Sequence, residues 1–387
     1  MSNGFSGKLV LFGAGKIGRS FIGQVFSRSN YEVVFVDINR QLINNLNKFR
    51  HYNVIIKSPK GDEPILINNV RGINLDETDK VIEELAGASI AALSVGQQGL
   101  PAALPLIAKS LVLRNTLHGP WPLDVIIAEN MRNADEYISK ELTSLLPADY
   151  PVDSLVGLVE TSIGKMVPIM SQKDFDEDPL QVFAEPYNTL IVAKNGFKNP
   201  IPEISYLAPK ENIKAWVDRK LFIHNLGHAT AAYLGFQKYP KMVFINEVLG
   251  DPALNGICRQ TMLQSADILM SLYPEEFTPS QLEAHIDDLL ERFKNVALGD
   301  TIFRVGCDLY RKLSPEDRLV APINAALKLN KPYDLIYDAL IAGISFRGAD
   351  ENGKYLPADE QFFKEAEKGI KHILENICKL KLSDIKL

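Results

Sequence analysis

The sequence is poor in cysteine and has no long apolar run, and each shortage excludes a class of protein. Its three cysteines, Cys258, Cys307 and Cys378, lie far apart and form no CxxC pair, so we expect neither a structural zinc site nor a disulfide framework. No run approaches the ~18 apolar residues of a membrane span, and the opening MSNGFSG does not resemble a signal peptide. We therefore expect a cytoplasmic protein without a bound metal.

An excess of positive charge is also absent. The chain has 42 lysines and arginines against 48 aspartates and glutamates, which gives a formal net charge of −6. Such a chain has no overall basic field to attract nucleic acid or an anionic membrane, so we expect neither as a partner. An anionic small molecule would have to be bound by local cations.

What is present is an ordinary globular composition, spread over 387 residues, which is more than one typical domain. Short apolar runs alternate with helical patterns over roughly the first 150 residues, and long helical periods follow. The clearest predicted strands are KLVLF, EVVFV, ASIAALSV and LDVIIA, at residues 8–12, 32–36, 88–95 and 123–128. The pattern predicts an α/β protein with a parallel-sheet domain over residues 1–198 and a mostly α-helical domain over residues 199–387.

The first predicted strand runs into FGAGKIG, in which Gly13, Gly15 and Gly18 match G-x-G-x-x-G. In a Rossmann-type turn these glycines allow the tight turn, the approach of a pyrophosphate and close packing of the helix, respectively. Asp37 ends the second strand, near the ~20-residue spacing of an acid that binds the adenosine ribose. The pattern predicts NAD rather than NADP, a preference that Arg40 could weaken. The remaining residues of the expected turn are Lys16 and Ile17. The alternative is a tight turn without a ligand.

Two later loops follow predicted strands in the same way. SVGQQG contains Val95 and Gly96, and IIAEN ends in Glu129 and Asn130. Because parallel strands bring their carboxyl ends to one ligand-binding edge, we expect Val95, Gly96 and Glu129 near the cofactor. Asn130, taken alone, could equally be a helix cap or a loop residue.

The stretch RKLFIHNLGHATAAYLG, residues 219–235, carries Lys220, Asn225 and His228 among apolar or small residues. On one α-helix at ~100° per residue, the three side chains project within ~140° of each other. Partial burial would lower the pKa of Lys220 toward that of a general base, and Asn225 could donate to a developing alkoxide. His228 could bind a neighbouring hydroxyl. The alternative is a core helix with satisfied polar groups.

Together these segments resemble the long-chain polyol dehydrogenases, the mannitol dehydrogenase family, over most of the chain. The matching segments, in order, are FGAGKIGRSFIG, AENM, RKLFIHNLGHATAAYLG, RFKNVALGDTIFRVGCDLYRKLSPEDRLVAP and SFRGADEN. The resemblance implies a metal-independent, NAD-dependent enzyme of carbohydrate metabolism. In it, Lys220 is the base, Asn130 and Asn225 bind the oxyanion, and His228 orients the substrate. The implied reaction interconverts a sugar-alcohol phosphate and a ketose phosphate, with mannitol 1-phosphate and fructose 6-phosphate as the first candidates.

The chain departs from the family pattern at positions that affect the substrate. Gly164 and Lys165 stand where the family usually has Asp-Arg, and Cys307 and Leu309 stand where it often has Arg and Pro. Lys165 cannot supply the bidentate fork of an arginine. The candidate cations for a substrate phosphate are Arg347 and Lys165, followed by Arg304 and Arg311.

Two other functions stay open at this point. A hexuronate reductase acting on fructuronate or tagaturonate belongs to the same class, although its relatives are commonly longer. A catalytically silent NAD-binding regulatory protein is favoured by the Gly164-Lys165 departure and disfavoured by Lys220, Asn225 and His228. Both a monomer and a homodimer are compatible with the sequence.

Overall fold

The computed structural model describes residues 7–381, 383 and 385, and the chain forms two compact units, Met1–Ile213 and Lys214–Leu387. The sequence predicts a boundary between residues 198 and 199, and the first unit extends beyond that point. The reason is a late strand, Leu207–Lys210, which pairs in parallel with the strand Leu190–Ala193. The glycine, proline and asparagine residues before it form a loop within the first unit.

All the strands of the described chain lie in the first unit. They are β1 Gly7–Phe12, β2 Tyr31–Asp37, β3 Tyr52–Ser58, β4 Gly61–Ile67, β5 Val70–Asn74, β6 Ile90–Leu93, β7 Leu123–Ile127, β8 Val156–Ser162, β9 Val182–Ala184, β10 Leu190–Ala193 and β11 Leu207–Lys210. Eight of them form one sheet in the order β11-β10-β8-β7-β6-β1-β2-β5, and β4, β3 and β9 form a small second sheet. In the large sheet only β8 and β10 pair antiparallel.

Alternate residues of the central strands face two different cores, because successive side chains of a strand point to opposite faces. Leu9 and Leu11 of β1 belong to one hydrophobic cluster. Val10 and Phe12 belong to the other. Burial on both faces explains why these strands read as nearly continuous apolar runs. The predicted parallel-sheet domain is confirmed.

The carboxyl ends of the central strands meet at one edge of the large sheet. The strand order reverses between β1 and β6, which is the switch point where such sheets bind ligands. Backbone hydrogen bonds continue past the strand ends: Ser94 N–H donates to Phe12 O, and Ala128 N–H donates to Leu93 O, both at 2.8 Å. The loops after β1, β6 and β7 are therefore fixed side by side.

The helices of the first unit connect these strands. They are α1 Gln24–Ser27, α2 Arg40–Phe49, α3 Thr78–Ala86, α4 Leu100–His118, α5 Ala134–Leu145, α6 Val152–Leu155 and α7 Gln172–Glu177. A π-helical segment, Gly18–Gly23, precedes α1. The glycine turn thus opens into a helix that is not regular in its first turns.

The described residues of the second unit form helices and no strand, which confirms the predicted helical domain. From the unit boundary onward they are α8 Ile213–Arg219, α9 Leu226–Lys238, α10 Ile245–Gly250, α11 Pro252–Leu272, α12 Pro279–Phe293, α13 Ile302–Gly306, α14 Leu309–Lys312, α15 Val320–Leu329, α16 Asp334–Ile344, α17 Pro357–Ala366 and α18 Ile370–Asn376. Within the described part of the chain, no helix is long and apolar enough to cross a membrane.

Helix α9 packs against α11, α13 and α16. Small residues allow these close contacts. A Cβ atom added to Gly227 would lie 2.5 Å from Met262 Sδ, and one added to Gly235 would lie 2.5 Å from Val248 Cγ2. Helix α9, which carries His228 and follows directly on Lys220–Asn225, is therefore closely packed along its length.

Residues 219–235 are not one regular α-helix. Helix α8 ends at Arg219, and a π-helical segment, Lys220–Asn225, leads into α9. A π segment has i→i+5 hydrogen bonds, so its side chains do not follow α-helical angles. The angle of ~140° expected for ideal α geometry is therefore wrong across this segment. Single-turn π segments are frequent at functional sites.

Candidate active site

The glycine turn after β1 is shaped by close backbone contacts. Gly13 has a φ of +94°, which favours glycine, and a Cβ atom there would lie 2.1 Å from the carbonyl oxygen of Ser94. A Cβ atom at Gly18 would lie 2.0 Å from the carbonyl oxygen of Gly13. The first and third glycines are therefore required by the packing of the turn itself.

The middle glycine has a different environment. Among the described residues, apart from the chain neighbours of Gly15, no atom would lie within 4 Å of a Cβ atom added there, and Lys16 is exposed. The protein does not need a glycine here for its own packing. Open space over the backbone of Gly15, next to the start of a helix, is what a pyrophosphate group requires. The turn therefore fits a dinucleotide.

Asp37 at the end of β2 is fixed beside this turn. Its Oδ2 accepts a hydrogen bond from Ala14 N–H at 2.7 Å, and its Oδ1 accepts one from Asn39 N–H at 2.8 Å. Each carboxylate oxygen has two acceptor sites, so both can still receive a ribose hydroxyl. Arg40 is turned toward another acid, with its Nη2 2.7 Å from Asp76 Oδ2.

Glu129 connects two loops at the sheet edge. Its Oε1 accepts hydrogen bonds from Val95 N–H at 2.8 Å and from Gly96 N–H at 3.1 Å. Burial raises the pKa of Glu129, although the two N–H groups partly oppose this effect. The carboxylate thus positions the loop after β6, and the exposed Asn130 follows directly.

A buried arginine supports the glycine turn from its inner side, and the sequence alone did not indicate it. Arg19 is 6% exposed. Its Nε donates to Ala14 O at 2.7 Å, and its Nη1 donates to Leu180 O at 2.6 Å. Burial lowers the pKa of this guanidinium. Arg19 simply follows the last glycine of the motif, so only the structure reveals its contacts.

In the second unit, Lys220 occupies the first position of the π-helical segment. The pKa of its ammonium group is lowered to about 8, first by burial and then by the positive charge of Arg318, while Asp317 acts in the opposite direction. A lysine with this pKa can give up and regain a proton near neutral pH.

Asn225 ends the same segment, and its side chain is partly exposed. Among the described residues, no protein group forms a hydrogen bond with its amide, so both N–H donors are available to a ligand.

His228, one turn further along α9, is held by two neighbours. Its ring stacks on Phe293 with the ring centroids 4.5 Å apart, and its Nε2 lies 3.2 Å from Asp300 Oδ2. The other oxygen of Asp300 is paired with Arg304. Burial lowers the pKa of His228, although Asp300 partly opposes this effect. The ring is therefore neutral near pH 7, and Nδ1 is the nitrogen left for a ligand.

Arg318 was not among the cations expected from the sequence. Arg318 is 8% exposed, and its Nε donates to Asp317 Oδ1 at 2.7 Å. Asp317 Oδ2 accepts a further bond from Arg311 Nη1 at 3.2 Å. Arg318 lies within the quoted segment SPEDRLVAP, but an Asp-Arg pair in sequence does not reveal whether the guanidinium is buried.

The cations that were expected from the sequence have other partners. Lys165 is 6% exposed and donates to Asn188 Oδ1 at 2.8 Å. Arg347 Nη1 donates to Ile344 O at 2.9 Å and to Phe346 O at 2.7 Å. Of the two secondary candidates, Arg304 pairs with Asp300, and Arg311 pairs with Asp308 and Asp317.

The two units therefore contribute different chemistry. The first brings Gly13, Gly15, Gly18, Asp37, Val95, Gly96 and Glu129 to one edge of the sheet. The second places Lys220, Asn225 and His228 on one continuous helical run, with Arg318 close enough to influence Lys220. A glycine turn shaped to accept a diphosphate and a lysine of lowered pKa are components that a dinucleotide-dependent dehydrogenase can use.

Comparison with known proteins covers nearly the whole chain. The family model for the mannitol dehydrogenase Rossmann domain matches residues 7–206, and the model for the mannitol dehydrogenase C-terminal domain matches residues 212–381. A protein of Halalkalibacterium halodurans named mannitol-1-phosphate 5-dehydrogenase is 34% identical over 341 residues, 87% of this chain and 86% of that one. One of the same name from Buchnera aphidicola subsp. Schizaphis graminum is 29% identical over 375 residues, 95% and 93% of the two chains.

Solved structures agree with the fold. The mannitol 2-dehydrogenase of Pseudomonas fluorescens, determined as a ternary complex with NAD and D-mannitol, matches with a TM-score of 0.74 and 17% identity, over 96% of this chain and 87% of that one. A D-sorbitol dehydrogenase in substrate-free form matches with a TM-score of 0.80 and 16% identity, over 98% and 89% of the chains.

Proposed function

The chain belongs to the mannitol dehydrogenase family and is a polyol dehydrogenase, and on this premise we propose that it interconverts mannitol 1-phosphate and fructose 6-phosphate with NAD. The two relatives named mannitol-1-phosphate 5-dehydrogenase support this substrate pair. The observation that carries most weight is the helical run on which Lys220, partly buried and close enough to Arg318 for their charges to interact, precedes Asn225 and His228.

The cofactor of this proposal is a nicotinamide dinucleotide, which accepts a hydride from the alcohol carbon or returns it to the ketone. The turn residues Gly13, Gly15, Lys16, Ile17 and Gly18 would hold its diphosphate. Asp37 would bind the adenosine ribose, and its negative charge would repel a 2′-phosphate. Arg40 is paired with Asp76, so it does not compensate for that repulsion. These two contacts support NAD over NADP. The loop of Val95 and Gly96, positioned by Glu129, completes the cofactor site.

In the proposed mechanism Lys220 moves the proton. In the direction of alcohol oxidation, its neutral amine removes the hydroxyl proton as the hydride leaves the carbon. In the direction of ketose reduction, its ammonium group protonates the alkoxide. The Asn225 amide donates a hydrogen bond to this oxygen while negative charge develops on it. Asn130 is proposed as the second amide donor, supported by the resemblance of AENM to the family motif, and His228 orients the substrate through Nδ1.

Arg347 and Lys165 are proposed as substrate ligands of lower weight. Arg347 Nη1 is already used by two backbone carbonyls, which leaves Nε and Nη2 as its donors. Lys165 already donates to Asn188. Both side chains could contribute charge to an anionic substrate, but neither can offer it a complete set of donors.

The experiment that tests the function follows NADH absorbance with the purified full-length protein and four ketoses: fructose 6-phosphate, fructose, fructuronate and tagaturonate. We expect oxidation of NADH with fructose 6-phosphate at the lowest KM, and a much higher KM for NADPH in the same assay.

Each of the other outcomes would indicate a different function for the protein. Turnover of a hexuronate alone would indicate a hexuronate reductase, and turnover of fructose alone would indicate a dehydrogenase of unphosphorylated polyols. Binding of NADH without turnover of any ketose would indicate a catalytically silent NAD-binding protein. In that case the Gly164-Lys165 departure would be the first position to restore to the family pattern.

A further inference from the structure

Arg318 is a mostly buried cation whose terminal nitrogens, Nη1 and Nη2, form no hydrogen bond within the described part of the chain. Its side chain is 10% exposed, and only Nε binds a side chain, the carboxylate of Asp317. Among the described residues, no protein acceptor binds Nη1 or Nη2. Neither nitrogen is among the fully buried polar atoms that lack a hydrogen-bond partner, so both can be reached by water or by a ligand. An arginine in this state is suited to a ligand with several acceptor oxygens.

The carboxylate of Asp317 does not neutralise this region. Its two oxygens are shared between Arg318 and Arg311, so two guanidinium groups face one acid. Arg311 has a second acid, Asp308, and is 48% exposed, whereas Arg318 has only the shared one. Counting Asp308, the two arginines face two acids, but the buried Arg318 has one shared carboxylate partner, whereas Arg311 has two.

Two further lysines lie within reach of this charge. The positive charge of Arg318 adds to burial in lowering the pKa of Lys220 and of Lys312, each to about 8. Lys312 is fixed, because its Nζ donates to Val305 O at 2.7 Å. A bound anion would stabilise the charged forms of these three side chains.

We propose that Arg318 is the principal ligand of the substrate phosphate, bound through its Nη1 and Nη2 donors. This inference rests on the proposed function and deepens it, since it names the residue that selects a phosphorylated substrate. The guanidinium forms two parallel hydrogen bonds to phosphate oxygens while Asp317 holds Nε. Lys312 and Lys220 contribute charge at longer range.

The geometry favours Arg318 over the cations identified from the sequence. The face of the Arg347 guanidinium lies 4.4 Å from the ring centre of Phe363, and one of its nitrogens is committed to two carbonyls. Arg304 and Arg311 are about half exposed and paired with acids. Arg318 alone among these four arginines combines burial with two free terminal nitrogens.

The test compares Arg318→Gln with Arg311→Gln, since both variants remove a guanidinium from Asp317 but only the first removes the buried one. Inorganic phosphate is titrated calorimetrically into each full-length protein saturated with NADH, and KM for fructose 6-phosphate is measured in parallel. For Arg318→Gln we expect phosphate affinity to fall, and KM to rise, by roughly tenfold to hundredfold, as expected for a lost charged hydrogen-bond pair. Arg311→Gln should change either value less than about threefold.

Several outcomes overturn the proposal. They are equal phosphate affinity in Arg318→Gln and the unsubstituted protein, equal losses in both variants, and no phosphate binding by the unsubstituted protein. Because phosphate binding is measured without turnover, the proposal can fail while the function stands, or survive if fructose 6-phosphate is not the substrate. If Arg318→Gln does not fold, Arg318→Lys retains the charge without the fork and should weaken phosphate binding about tenfold. Unchanged affinity in that variant would equally overturn the proposal.

Discussion

The glycine turn of the first unit leads into a π-helical segment, and another π-helical segment carries Lys220 and Asn225 in the second unit, yet the two segments differ in burial. In Gly18–Gly23 every residue is buried, and its one charged side chain, Arg19, is bound by backbone carbonyls. In Lys220–Asn225 three residues are buried, and the polar residues at both ends are partly accessible. The charged side chain of the first segment holds nearby backbone groups in place. The second segment carries polar side chains that a ligand can reach.

The two sites therefore depend on the sequence in different ways. A site made of backbone groups depends on glycine spacing and strand ends, which lie close together in the sequence. A site made of side chains depends on which distant residues surround each group. Lys220 owes its lowered pKa partly to Arg318, and His228 owes its orientation to Phe293 and Asp300. Four substitution experiments test this distinction between a site of backbone groups and a site of side chains.

The largest effect is expected in the side-chain site, for Lys220→Ala. Because this variant lacks the proposed base, kcat should fall by about a hundredfold to ten-thousandfold, while the affinity for NADH stays unchanged. Steady-state kinetics and NADH fluorescence titration measure the two quantities. Lys238→Ala on α9, which removes an ion pair with Asp251, is the matched control and should keep full turnover. Normal turnover by Lys220→Ala would refute the assignment of the base.

In the backbone site, alanine substitutions at two glycines of one motif should have different effects, one on stability and the other on NADH affinity. Gly18→Ala forces a Cβ atom against the Gly13 carbonyl and should lower the free energy of unfolding by about 1–3 kcal/mol. Gly15→Ala meets no protein atom, so its stability should be unchanged while its affinity for NADH falls about tenfold or more.

Thermal unfolding without NADH and calorimetric titration with NADH separate these two effects. Equal loss of stability in both glycine variants would show that the space above Gly15 is not reserved for a ligand.

A smaller effect is expected for Asp300→Asn, which keeps the shape of the carboxylate but removes its charge. Asp300 raises the pKa of His228, so the variant should have a still lower pKa for His228 and a kcat/KM reduced about tenfold. Histidine titration by NMR and steady-state kinetics provide the two readouts. The control is Asp287→Asn, an exposed acid paired with Arg259, which should change neither. An unaltered pKa of His228 would mean that Asp300 has no positioning role.

The smallest effect concerns pH. Alcohol oxidation requires neutral Lys220, so kcat/KM in that direction should rise as the pH passes about 8, the lowered pKa of Lys220. Ketose reduction requires the ammonium form and should decline over the same range. Arg318→Gln removes a positive charge that lowers this pKa, so both midpoints should move to higher pH. A midpoint that is the same in Arg318→Gln would place Arg318 too far from the base to act on it.

Much of the fold could be predicted from the sequence, because its signals are local. The strands β1, β2, β6 and β7 were all located from their apolar runs, and the helical domain was located from its long periods. The family resemblance, carried by long segments in the correct order, is confirmed by models that match residues 7–206 and 212–381. The first unit continues past residue 198 to Ile213, because a short strand such as Leu207–Lys210 carries little signal until its partner strand is known.

Spacing along the sequence was enough to locate the glycine turn, the acid at the end of β2 and the order of Lys220, Asn225 and His228. Each of these features depends on one stretch of chain. Which cations are buried depends instead on the folded structure. Arg318 and Arg347 look alike in the sequence, yet one has unused donors and the other is bound to backbone carbonyls. The physical reason is that desolvation and charge interactions depend on distances through space. Segments that lie far apart in the sequence set those distances.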